Sequence, residues 1–429
     1  MSKTTISVIV ITLCTALLNA QPYSWEQVLK EAKFNNLELK IAREKIQQKE
    51  NDLKALRTGL LPQISAGLNL SGGASAGKDD NLFEQDARFS ESARLSAQQQ
   101  IWDPQTSPKI KQSELALETE KLNYEMQEIN LRLQLRQEFC ELLRNKQALD
   151  LAKTVTERRR QQHELVKLRY SGGLEHRGSL LTAQANLTKA EFNEKQLERR
   201  LERSRQQLTQ TIGLPATYNI EVTSDLGLLT NIKQKPNMES LLENSPTLQG
   251  VAVRLENAGY NIQIAKAAYL PSIYLNGSLG KGWSQSKVNG ESVNNEDSSW
   301  SLGTGLSFDL FDGGRKNLNV QNAEINENIQ KLELANSRRS VALVLSRAWD
   351  NLLDALDNIS AAQEQLQATA ERSTIAAEQY ANGLISFDNW IIIEDALISA
   401  QQTELSSKID ALIQEANWLN AKGGNLNEI

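Results

Sequence analysis

The chain has 429 residues, a formal charge of −6, 23% charged residues and only 5% aromatic ones. An acidic balance with no basic surface excludes a nucleic-acid partner. Gln, Glu, Leu, Ala, Lys and Arg crowd long stretches, which suits extended exposed helices better than a thick globular core.

Residues 1–20 read as a signal peptide. Lys3 gives the basic start, Ile6 to Leu18 the apolar run, and cleavage is expected after Ala20. Cys14 lies inside that run behind bulky Leu13, a poor position for lipidation. The remaining cysteine, Cys140, is expected to be a small buried side chain in a helix. No later segment is apolar for long enough to be a membrane-spanning helix, so any crossing must use strands.

A long-period repeat follows. Leu61-Pro62 recurs as Leu270-Pro271 and Trp102-Asp103 as Phe311-Asp312, each 209 residues on. Tyr170-Ser171-Gly172-Gly173 recurs as Tyr380-Ala381-Asn382-Gly383, and Leu187 and Ala190 as Leu397 and Ala400, each 210 residues on. The predicted division is a first repeat over 21–214, a linker over 215–246 holding Pro215, Pro236 and Pro246, a second repeat over 247–424 and a tail over 425–429. Each repeat reads as short helix, Leu-Pro, strand, loop, strand, aromatic-Asp, very long helix, glycine turn and second long helix.

Four segments alternate with period two. In 63–71, Ile64, Ala66, Leu68 and Leu70 oppose Gln63, Ser65, Asn69 and Ser71. In 272–280, Ile273, Leu275 and Leu279 oppose Tyr274, Asn276 and Ser278. In 300–310, Trp300, Leu302, Thr304, Leu306, Phe308 and Leu310 oppose Ser301, Gly303, Gly305, Ser307 and Asp309. In 89–101, Glu91 and Gln99 fall on the face of Phe89, Leu95 and Ile101, which a bulge or an early strand start would repair. Polar 72–77 and 284–297 read as outer loops, with Trp283 and Trp300 flanking the second as interfacial anchors. About ten alternating residues per segment is the pattern of a transmembrane barrel strand, and also of a soluble hairpin packed on one side. In lipid the first reading forces association, because four strands cannot close a barrel and an open edge leaves backbone groups unpaired. Three copies would supply twelve strands.

The stretches from about Ser107 to Tyr170 and from Lys316 to Asn382 read as single helices of some sixty residues, roughly 90–100 Å long. Such lengths require lengthwise packing. Leu115, Leu122 and Ile129 form a heptad stripe, and Leu187, Ala190, Leu197, Leu201 and Leu208 another, interrupted by Glu194 and Ser204. His163 and His176 stand near the first helix turn with Glu164 and Glu175, short of a zinc-ligand set. No phosphate-binding loop, nucleophile elbow or paired-carboxylate setting stands out, so no catalytic residue, metal or cofactor is assigned.

The arrangement resembles the TolC-like outer-membrane efflux proteins. The resemblance rests on Ala268-Tyr269-Leu270-Pro271, Leu310-Phe311-Asp312-Gly313-Gly314-Arg315, Tyr380-x-x-Gly383-x-x-Ser386, Leu397 with Ala400, and Ala421-Lys422-Gly423-Gly424. It implies a mainly α fold with membrane β: helical hairpins forming an α-barrel, and four strands per chain in a shared trimeric 12-stranded β-barrel. It further implies a passive exit duct in the outer membrane of a Gram-negative bacterium, with most of the chain in the periplasm. The partners would be two further copies, outer-membrane lipid, a periplasmic adaptor (membrane fusion protein) and an inner-membrane pump of resistance-nodulation-division, ATP-binding-cassette or major-facilitator type. Pro62, Asp103, Pro271, Asp312, Gly313 and Gly314 would mark strand-helix corners. Tyr170, Gly173, Tyr380, Gly383, Phe387, Asn389, Trp390 and Ile392 would mark the periplasmic aperture and adaptor-docking tips. Where some relatives carry an aspartate pair, this chain has Asn389 and Ile392, with Asp388, Glu394 and Asp395 nearby. Three readings of that region stand open: a charged ring from Asp388, Glu394 or Asp395, an apolar constriction from Phe387, Trp390, Ile391 and Ile392, or packing of helix against helix. The alternative for the whole chain is a soluble periplasmic coiled-coil structural or adaptor protein.

Overall fold

The computed structural model describes residues 23–76, 85–215, 217–218, 220–223, 236–288 and 291–424; the expected signal segment and tail lie outside them. In chain order the elements are α1 (Trp25–Asn35), α2 (Leu37–Thr58), β1 (Gln63–Ala76), β2 (Gln85–Trp102), α3 (Thr106–Ser171) and α4 (Arg177–Ile212). They continue with α5 (Met238–Glu243), α6 (Pro246–Ala267), β3 (Ser272–Val288), β4 (Glu291–Ser307), α7 (Arg315–Ala381) and α8 (Phe387–Ala421). No helix of the described residues is long and apolar enough to cross a membrane. The chain divides into two compact units, and each draws on both sequence halves.

The first unit holds residues up to Leu39, Glu128–Asn237 and Val344 onward. Its core is a set of helix-helix seams. Cys140 and Leu143 of α3 are buried against Ile409 and Leu412 of α8. Trp349 of α7 meets Trp418 of α8 edge-on at 5.3 Å. On α4 the expected stripe is buried at Leu187, Leu201 and Leu208, and Ser204 within it turns its hydroxyl back onto the Leu201 carbonyl at 2.9 Å. Asn36 breaks the chain between α1 and α2, donates to the Thr211 carbonyl at 2.8 Å and accepts the Leu39 N–H at 3.0 Å. Gly213 ends α4 with φ +90° only 2.5 Å, measured from where a Cβ would stand, from the Asn35 carbonyl oxygen, so no side chain fits there.

The second unit holds Lys40–Gln127 and Met238–Leu343, and the sheet lies within it. Its four strands run in the order β1-β2-β3-β4, every pair antiparallel. Directly paired residues share a face, so the register sorts the sheet into two surfaces. One is polar: Ser65, Ser96, Ser278 and Ser301 form a single row across all four strands, with hydroxyls 2.8 Å apart at Ser65–Ser96 and 2.9 Å at Ser278–Ser301. The other is apolar and exposed, with Ile64, Leu68, Leu70, Leu95, Leu279, Trp300, Leu302 and Leu306 open to the surroundings.

The strands differ from expectation at three points. The polar segments expected as loops, 72–76, 284–288 and 291–297, continue the ladder. Alternation fades there because the sequence is mostly polar, while the backbone pairing persists past the Ser71–Ser90 hydroxyl contact at 2.6 Å. Trp300 therefore does not flank a loop. It pairs with Leu279 inside the apolar face, and Trp283 stands at its rim opposite Glu91 and Glu296. β4 ends at Ser307, short of Phe308 and Leu310, because Lys316 reaches back to the Asp309 carbonyl at 3.1 Å and turns the chain toward α7.

In β2 the register shifts between Gln100 and Trp102. That irregularity re-aims Trp102 onto Ile273 but leaves Glu91 and Gln99 on the apolar face, paired with Leu70 and Leu275 respectively. Glu91 lies at the rim of the apolar zone, opposite Trp283, while Gln99 lies within it, one row before the Trp102–Ile273 pair. The corners repeat as the sequence repeats. Pro62 and Pro271 immediately precede β1 and β3. Asp103 accepts from Gln105 N–H at 3.0 Å and the Thr106 hydroxyl at 3.1 Å, and Asp312 from Gly314 N–H at 3.1 Å and Lys316 N–H at 2.8 Å. Asp312 thus caps α7, Asp103 holds the turn that leads into α3, and after Asp312 both Gly313 and Gly314 take positive φ.

Candidate functional site

The helical hairpins α3–α4 and α7–α8 turn by the same device. In the first, Leu174 N–H donates to the Arg169 carbonyl at 2.8 Å and Gly173 N–H to the Tyr170 carbonyl at 3.0 Å; in the second, Leu384 and Gly383 do the same to Gln379 and Tyr380. Gly173 and Gly383 have φ of +72° and +75°. This is the paired hydrogen-bond closure of a helix C-terminus, which places its glycine in the left-handed region. The return helices are capped at matching positions: His176 Nδ1 accepts the Ser179 N–H and Ser386 Oγ the Asn389 N–H, both at 3.3 Å.

The two tyrosines of the repeat part ways. Tyr170 is exposed, whereas Tyr380 is fully buried. The Tyr380 ring stacks on Trp390 at 4.4 Å and meets Phe387 edge-on at 6.2 Å. Val166 of α3 and Ala183 of α4 close the same cluster. Arg169 lies 4.8 Å above the Tyr380 ring and donates to the carbonyls of Tyr380 at 3.1 Å and Ala381 at 3.2 Å. A cation is thus held at the C-terminal, partly negative end of α7. The Tyr380 hydroxyl donates to Glu175 at 3.0 Å. Burial raises the Tyr380 hydroxyl above its ordinary pKa, as does its bond to Glu175. Burial also works to raise Glu175, but hydrogen bonds from Ser179, the His176 N–H and Tyr380 bring it below the ordinary carboxylate value.

Deeper in the same unit, α8 is tied to α3 and α7 by charge. Glu394, buried, accepts from Gln162 at 3.0 Å and from Ser373, with Arg158 at 3.7 Å. Arg159 pairs with Asp395. The Glu394 carboxylate is thus enclosed between α3, α7 and α8, whereas Asp388 and Asp395 keep exposed side chains. Phe387, Trp390 and Ile391 are buried in the tip core. Of the four residues weighed for an apolar constriction, these three pack helix against helix, and only Ile392, 64% exposed, faces outward. Asn389 and Asp388 are exposed beside it. Among the described residues no three His, Cys, Asp or Glu side chains group as metal ligands; His163 and His176 each lie beside a single glutamate.

Sequence reasoning did not single out Arg158, Arg159, Arg169, Gln162 or Ser373. The one available signal was the difference between repeats, Arg169 before Tyr170 but Gln379 before Tyr380.

The family model described as outer membrane efflux protein matches residues 28–214 and 237–424. The chain belongs to that family. A curated relative of the efflux protein, the probable outer membrane lipoprotein SilC of Salmonella typhimurium, is 26% identical over 206 residues. That match covers 46% of the present chain and 42% of SilC, so it spans less than half of the relative. Among solved structures, the Campylobacter jejuni CmeC outer membrane channel aligns with a TM-score of 0.77 at 18% identity, covering 94% of this efflux protein and 87% of CmeC. The open state of the Neisseria gonorrhoeae MtrE outer membrane channel aligns at 0.75 and 18% identity, covering 94% and 89%. At such identities the likeness establishes the fold: long helices and a four-stranded sheet per chain, as in the TolC-like channels. The family and these neighbours are channel proteins rather than enzymes.

Proposed function

We propose that three copies of this protein form one passive exit duct, each giving four strands to a shared twelve-stranded barrel in the outer membrane. The helices line a periplasmic tunnel. The observation that carries this reading is the sheet itself: four strands with an exposed, mainly apolar face and, at β1 and β4, two edges without a neighbouring strand among the described residues. Neither feature is tolerable in a lone copy placed in lipid, and closure by further copies removes both. The apolar face runs from Ile273 to Trp283 along β3. That is roughly 33 Å of strand at about 3.3 Å per residue, or about 25 Å of height at a barrel tilt of about 40°, the height of a barrel's lipid-facing band. Lys281, Trp283 and Glu296 cluster at one rim, with Lys281 paired to Glu296 and 5.2 Å from the Trp283 ring.

At the other functional end, Asn389 and Ile392 of α8 line the aperture. The tips around Tyr170, Gly173 and Gly383 receive a periplasmic adaptor that couples the duct to an inner-membrane pump. Exposure of Tyr170 and Ile392, against burial of Tyr380, Phe387 and Trp390, supports this sorting into contact surface and scaffold. Reconstitution into planar lipid bilayers tests the duct. Discrete, uniform conductance steps are expected from the purified protein, and a membrane that stays silent at saturating protein would rule the duct out.

A further inference from the structure

On the polar face of the sheet the register sets the long cation Arg94 in a row of small neutral residues. Arg94 of β2 pairs with Gly67 of β1 and Gly280 of β3, and Gly280 pairs with Ser299 of β4. The row is therefore Gly, Arg, Gly, Ser. A Cβ at Gly67 would meet nothing within 4 Å, so the space beside the arginine is open. Arg94 is exposed and, among the described residues, makes no hydrogen bond or ion pair. The next row inward is the serine row, and the one below it is Gln63, Gln98, Asn276 and Gly303, all uncharged. One row outward stands Asp297, on β4. Two strand spacings and one row put its Cα about 12 Å from that of Arg94, beyond direct pairing. Arg88, six residues outward on the same face of β2, adds a second exposed cation. Small neutral neighbours leave a guanidinium pointing from such a wall with its full charge available to a passing solute.

We infer that Arg94 sets the charge preference of the barrel lumen. With the apolar face toward lipid, the polar face lines the lumen, and three copies of Arg94 make a cationic ring that favours anionic groups on cargo and disfavours cationic ones. The inference rests on the trimeric duct proposed above. It concerns the lumen alone and is independent of the helix tips.

The experiment is the reversal potential of single channels of the full-length protein in a tenfold potassium chloride gradient. Salt is kept at or below about 0.1 M, where the Debye length is about 10 Å. Arg94→Ala should raise the cation-to-anion permeability ratio on the order of twofold relative to the parent. Lys281→Gln, on the lipid face, should leave it unchanged. Arg94→Cys allows the comparison within one open channel. An aminoethyl methanethiosulfonate, which restores a positive charge, should move the ratio back, and a sulfonatoethyl reagent should move it further toward cations; Cys140 is buried and serves as the unreactive background. Conducting Arg94→Ala and reagent-treated Arg94→Cys channels with the parent's ratio would overturn the inference while leaving the duct intact. Absence of conductance in the parent would overturn the duct and the inference together.

Discussion

Tyr170 and Tyr380 occupy duplicated positions, and the side-chain contacts made to Tyr380 separate their fates. Arg169 reaches across to the end of α7 and covers the Tyr380 ring, while Glu175 takes its hydroxyl. The second turn is thereby fastened to the first hairpin, and Tyr170 is left on the surface. Tyr380→Phe keeps the stack on Trp390 and removes only the bond to the carboxylate. The expected cost is about 2 kcal/mol, the usual value for a hydrogen bond to a charged group, read as a lower melting temperature at neutral pH. The pH dependence has a definite sign. Glu175 has a lowered pKa in the folded chain, so its contribution is present above the ordinary value of 4.5 and is lost as pH falls through the folded value. The gap in melting temperature between parent and Tyr380→Phe should close in acid below pH 4.5; a gap constant from neutral pH down through that range would show that the bond to Glu175 is not what the hydroxyl supplies. The glycine turns were legible in the sequence because a left-handed residue leaves a residue-type signature. The fastening was not, since a ring–cation contact and hydrogen bonds between residues more than two hundred apart leave none.

At the scale of elements, the two long helices were readable because nothing past their first turn breaks them, and α3 and α7 run for 66 and 67 residues. The strands were readable only where one face is apolar. Beyond the apolar band, β2, β3 and β4 continue as a polar ladder whose alternation carries no hydrophobic contrast, and the sequence there reads as loop. Glu91 looked like a fault in β2 for the same reason: its position at the border of the band depends on pairing with β1 and β3, whereas Gln99 is a polar residue within the band. Leu302 and Ser301 are neighbours on opposite faces of β4, and Leu302 lies in a central row of the band. If that face meets lipid, Leu302→Arg should destabilise the inserted barrel by about 2–4 kcal/mol, and Ser301→Arg should cost little. Thermal melts of the heat-modifiable form on gels would show the difference. Equal tolerance of both substitutions would mean that neither face meets hydrocarbon.

At the scale of the whole molecule, the repeat seen in the sequence is a repeat of elements and not of compact units. Each compact unit takes one share from either half, since a helix that begins in the sheet's unit ends among the helix tips' unit. The sequence halves therefore do not correspond to two independent domains; each supplies two strands and one long helical hairpin. Among the described residues two strands per repeat make four, too few to close, and the apolar face and the unpaired edges at β1 and β4 carry that shortage into the structure. The most direct test is the mass of the detergent-extracted protein by native mass spectrometry or light scattering, corrected for bound detergent. Three chains per particle are expected, stable on dilution. A monomer of about 48 kDa, soluble without detergent, would contradict the account.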